Sequence, residues 1–89
     1  MSKKQLRTNA ITACWDLKIP NWNVSKNAWS EWHCSMYHTG TPYLPDIGLT
    51  ALGVHPGRIE ISTQGISMRV KIDQLEAAVN HCITWLKNR

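Results

Sequence analysis

The sequence has no phenylalanine, and only six Asp and Glu against ten Lys and Arg. No apolar run is long enough to span a bilayer, which excludes a membrane-crossing helix at the sequence level. No C-x-x-C pair occurs, so the commonest zinc and dithiol arrangements are missing. There is also no phosphate-binding Gly-rich loop, nucleophile elbow, HExxH or dinucleotide fingerprint. Three cysteines cannot all pair with one another. An odd set without close spacing suits free thiols, hence a reducing compartment and an expected cytoplasmic location. No apolar stretch follows Met1 to Gln5, so no signal peptide is expected.

What is present describes a globular chain. The 89 residues are 43% hydrophobic and 18% charged, with a formal net charge of +4. That length predicts a single domain, 1–89, with a modest core. The positive balance tilts toward acidic partners without forming a polybasic tail. Five Trp in so short a chain is unusual. An indole is equally at home in a small core and at a binding surface.

The most decisive pattern runs from Arg58 to Arg89. Ile66, Met68, Val70 and Ile72 alternate with Ser67, Arg69 and Lys71, the period of a half-buried strand. Ile59 and Ile61 alternate likewise, and Thr63-Gln64-Gly65 joins the two runs. Gly at the end of a three-residue connection predicts an antiparallel hairpin over about 58–62 and 66–72. A helix follows over about 74–88, with Leu75, Val79, Cys82 and Leu86 on one stripe flanked by Ala78 and Ile83. Asp73 and Glu76 suggest its capping box. The expected fold is therefore α+β, with N-terminal helices and a hairpin packed by a C-terminal helix.

Before the hairpin the pattern is weaker. Lys3 to Leu17 reads as a helix with Leu6, Ala10, Ala13, Cys14 and Leu17 on one stripe. Ser25 to Glu31 reads as a second helix, while Trp32 to His38 fits either a helix or a strand. Thr41 to Gly57 carries Pro42, Pro45 and Pro56 and reads as a long connection, with a short helical turn possible from Asp46 to Leu52.

Three chemistries compete for the function. Trp22, Trp29, Trp32 and Tyr43 lie in the half with the least regular pattern and are candidate anchors for a protein partner. Lys3, Lys4, Arg7, Arg58, Arg69 and Lys71 are candidate nucleic-acid contacts, with the last three on the outward face of the hairpin. Cys34 and His38, one helical turn apart if that stretch is helical, could supply a thiol or metal site with His33, His81 or Cys82. Structural zinc ligands come in tighter pairs, so no metal and no cofactor is expected. Without a catalytic constellation the leading reading is a non-enzymatic protein that binds another macromolecule. Exposed hairpin edges would also permit a homodimer. In general character, being small, single-domain, motif-free and expected in the cytoplasm, the chain is similar to accessory proteins of bacteriophages and mobile elements, such as inhibitors of host defence. That resemblance implies an inhibitor or adaptor.

Overall fold

The computed structural model describes residues 1–40 and 43–89; Thr41 and Pro42, in the long connection, lie outside the described residues. The chain runs α1 (Lys3–Trp15), β1 (Trp22–Lys26), β2 (His33–His38), β3 (Ile47–Ala51), β4 (Arg58–Thr63), β5 (Ile66–Lys71) and α2 (Leu75–Asn88). The five strands form one antiparallel sheet in sequence order. The α+β expectation holds.

Alternation decides which face is covered. Cys34 and Met36 of β2, Ile47, Leu49 and Ala51 of β3, and Ile59 and Ile61 of β4 are all buried. They join Ala10, Ile11 and Cys14 of α1 and the apolar stripe of α2 in one core. α1 lies against β1 to β4, and α2 against β4 and β5, so both helices cover the same face. Among the described residues, no helix lies on the opposite face. Its register places Ser25, Ser35, Gly48, Ser62 and Ser67 side by side across all five strands.

The expected hairpin and C-terminal helix are present, and all six predicted stripe residues of α2 are buried. The Asp73–Glu76 capping box is not. A 3-10 turn over Ile72–Gln74 precedes α2, and Gln74 Oε1 accepts from the Lys71 N–H at 3.2 Å. The chain therefore turns one step earlier than the alternation implies, and Ile72 leaves the strand. α1 is capped by Ser2, whose Oγ accepts from the Gln5 N–H at 3.0 Å.

Two expected helical segments are strands or turns instead. Ser25 to Glu31 is not a helix. Ser25 and Lys26 end β1, and the following residues turn the chain into β2. Pairing of Val24 with Met36 and Lys26 with Cys34 overrides the helical spacing of Ala28, Trp29 and Trp32. The stretch from Asp46 to Leu52 is not a helical turn either, but holds β3, the central strand. Of the two hairpin strands only β5 is a sheet edge, because β4 pairs with β3 as well; the other edge is β1.

The β4–β5 turn is held from two sides. Gly65 has φ +83°, which a Cβ disfavours. Trp85 Nε1 of α2 donates to the Gln64 carbonyl at 3.2 Å, and Arg89 donates to the Gln64 side chain at 2.9 Å. Gly65→Ala should therefore destabilise the protein by about 1–2 kcal/mol, the usual cost of a left-handed residue with a Cβ. Ile61→Ala, fully buried between α1, α2 and the sheet, should cost about 2–5 kcal/mol. Urea unfolding monitored by circular dichroism measures both.

Candidate functional site

The four proposed anchors do not form one patch. Trp22 begins β1 and is 6% exposed, with its ring edge-on to His38 at 5.3 Å between centroids. It is a core residue. Trp32 is half-buried, and the Arg7 guanidinium stacks over it with Cζ 4.4 Å from the ring centroid. Trp29 is 96% exposed on the loop between β1 and β2, and Tyr43 is 87% exposed on the connection between β2 and β3. These two loops leave β2 from opposite ends, so a single contact patch of Trp29 and Tyr43 does not form.

The Trp29 loop is held by its own polar groups. Asn27 Oδ1 accepts from the Trp29 N–H at 2.7 Å, and Ser30 Oγ accepts from the Trp32 N–H at 3.2 Å. Asn27 and Ser30, inside the stretch expected to be helical, are instead turn-formers of this loop.

The six cations also divide. Arg7 is tied into the fold. Its Nε donates to the Ala51 carbonyl at 2.9 Å, and its guanidinium lies between Trp32 and Gly53. It ties α1 to the end of β3. Lys3 and Lys4 are exposed in the first turn of α1, within the helical layer. Arg58, Arg69 and Lys71 come together at one end of the β4–β5 hairpin, where Arg58 is paired in register with Lys71 and Glu60 with Arg69. Arg69 approaches Glu60 at 3.6 Å, an exposed pair of small energetic value. Among the described residues, Arg58 and Lys71 have no carboxylate within ion-pair distance. His55, from the β3–β4 loop, joins Arg58 and Arg69 around a small surface notch.

Beside that notch lies a larger groove of about 670 Å³. Leu6, Val54, Pro56 and Ile72 supply most of its apolar lining, with Arg58, Lys71 and Asp73 among its polar walls. Val54 is 86% exposed and Ile72 is also well exposed. Sequence reading missed this feature. The one available signal was an aliphatic residue, Val54, between Gly53 and the Pro56-Gly57 turn, where solvent-facing polar residues are usual. The groove opens at the same end of the sheet as Trp29, because β1, β3 and β5 all end there.

The cysteines point inward. Cys34 lies on a strand, so His38 is four residues and about 13 Å along from it rather than one helical turn away. His33 sits on the open face with Nδ1 2.9 Å from Thr50 Oγ1, and His81 is exposed on α2 next to the buried Cys82. Among the described residues, no three His, Cys, Asp or Glu side chains converge as a metal site would require. Cys14 and Cys34 share the core. Interaction with Cys34, and then burial, push the Cys14 thiol well above its usual range, while interaction with Cys14 pulls Cys34 down against its burial. Burial alone pushes Cys82 up.

No protein-family model matches the chain, and no curated protein or solved structure is detectably similar to it.

Trp22→Ala should destabilise the fold by about 3–5 kcal/mol, as deletion of a large core side chain does. Trp29→Ala should change stability by no more than about 0.5 kcal/mol. Paired denaturation curves separate a core role from a surface one. None of the three thiols should react with a bulky aromatic disulfide reagent in the native protein, and all three should react in guanidinium. Rapid native reaction of Cys34 would show an accessible thiolate that the buried geometry does not provide.

Proposed function

We propose that this chain is a non-enzymatic binding protein that engages a protein partner through the end of the sheet bearing Trp29. The observation that carries this reading is the 96% exposed indole on a loop fixed by two side-chain hydrogen bonds. A large apolar side chain in water gains free energy when a partner buries it. A pre-ordered loop loses little entropy when that happens. Trp is also the residue type most enriched among strong interface anchors. An inhibitor or adaptor is the kind of protein that works in this way, through occupation of a partner's surface. The exposed Trp29 replaces the four-residue aromatic group as the anchor, since Trp22 and Trp32 serve the fold.

Affinity capture from a lysate of the producing cells, with the wild-type chain and Trp29→Ala side by side, tests the reading. A specific protein should be retained by the wild type and lost by at least about thirtyfold in the variant, the effect of removing a hot spot worth 2 kcal/mol or more. Equal capture by both chains would count against it.

A second reading is nucleic-acid binding through Arg58, Arg69 and Lys71, favoured by their convergence with His55 at one notch. Titration of a short duplex and a single strand between about 50 and 200 mM salt should then show affinity falling steeply, with a shallower slope for Arg58→Gln/Lys71→Gln. Absence of binding at the lower salt would remove this reading.

A further inference from the structure

The groove between α1, the β3–β4 loop and the start of α2 adjoins the cationic notch, and the two share His55 and Arg58 as walls. One compartment is apolar and the other is positively charged. We infer that together they form the acceptor for a segment of a partner protein that carries an aliphatic side chain beside acidic residues. The aliphatic group lies against Leu6, Val54 and Ile72, and its carboxylates face Arg58, Lys71 and Arg69. This deepens the protein-binding reading and rests on it.

Three observations select that occupant. Val54 and Ile72 are large aliphatic side chains exposed at one site, so covering them removes apolar surface from water. Arg58 and Lys71 have no acidic partner within ion-pair distance among the described residues, and Asp73 is the single carboxylate in the groove's lining. The local balance therefore favours an anionic visitor, which the net charge of +4 reinforces at longer range. Finally, the groove is largely open to solvent. A free small molecule would leave much of its own surface in water there, whereas a protein segment brings further surface to cover it. A nucleic acid fits the groove less well. Its lining holds no Trp or Tyr for a base to stack on, and most of it is apolar rather than phosphate-binding.

The test is selection of a random peptide library of about twelve residues on the immobilised full chain, followed by affinity measurement of the enriched peptides. Each is measured against wild type, Val54→Asp, Arg58→Gln/Lys71→Gln and Trp29→Ala. All substituted positions are exposed, and thermal melts confirm folding. Enriched peptides should combine aliphatic residues with Asp or Glu. They should bind Val54→Asp and the double variant at least about tenfold more weakly, and lose less on Trp29→Ala than on either groove variant. Enrichment of peptides without acidic residues, insensitivity to the groove variants, or no enrichment at all overturns the inference. If the peptides depend on Trp29 alone, the inference fails while the protein-binding reading stands. If no peptide is enriched and an oligonucleotide binds wild type but not the double variant, both fail and the nucleic-acid reading takes their place.

Discussion

Burial of Ile47, Leu49 and Ala51 beneath α1 is the contact on which the rest of the molecule depends. β3 is the middle strand, and it alone joins the β1–β2 pair to the β4–β5 pair. Each pair by itself would be an isolated hairpin, marginal in water. With β3 between them the inward rows become continuous, and one helical layer can cover them. Arg7 reinforces that junction. Its reach to the Ala51 carbonyl and its stacking on Trp32 join α1 to the ends of β2 and β3. A cation in this setting works through packing and a single backbone acceptor as much as through charge.

The one-sided helical layer shapes where binding can occur. α1 and α2 consume the apolar face of the sheet, and the open face is left with small and polar side chains across its middle. Apart from Tyr37 on the open face of β2 and Trp85 on α2, the large exposed apolar groups are therefore displaced to the chain start, the loops and the junctions between layers. Trp29, Val54 and Ile72 stand at one end, and Tyr43 at the other. The same geometry gathers Arg58, Arg69 and Lys71 where the hairpin meets the β3–β4 loop. The candidate site is thus built from parts distant in sequence, from Leu6 to Lys71, brought together by the meander rather than by any motif.

This explains what could be read beforehand. β4, β5 and α2 were legible because each has one strong period and a turn residue, Gly65, with a single physical reason to be there. β3 was hidden because its alternation of Ile47, Leu49 and Ala51 is short, has Gly48 at an outward position and follows Pro45, so five residues of strand resembled an anchored loop. Ser25 to His38 carried both periods at once, and pairing with β1 and β3 selected the strand for His33 to His38. The aromatic residues were the least legible. Trp22 and Trp29 have similar neighbours in sequence, yet one lies in the core and the other in solvent, a difference decided by which strand face and which turn each occupies. Of the cations, the hairpin trio was identified correctly as outward-facing, while Arg7 could not be recognised as an internal tie without its partners Ala51 and Trp32.

The unbroken sequence order of the five strands also bears on how the chain finds its structure. Every strand pairs with its immediate neighbour in sequence, so each new strand closes only a short loop before its ladder forms. Entropy of closure grows with loop length, and a meander divides it into small steps. The long closure is left to α1, whose Arg7 meets Ala51 across 44 residues. For a domain this rich in sheet, the contact order is consequently low along the sheet and high only where the first helix docks. That is the pattern in which a β-rich chain escapes the slow folding of non-local strand pairing.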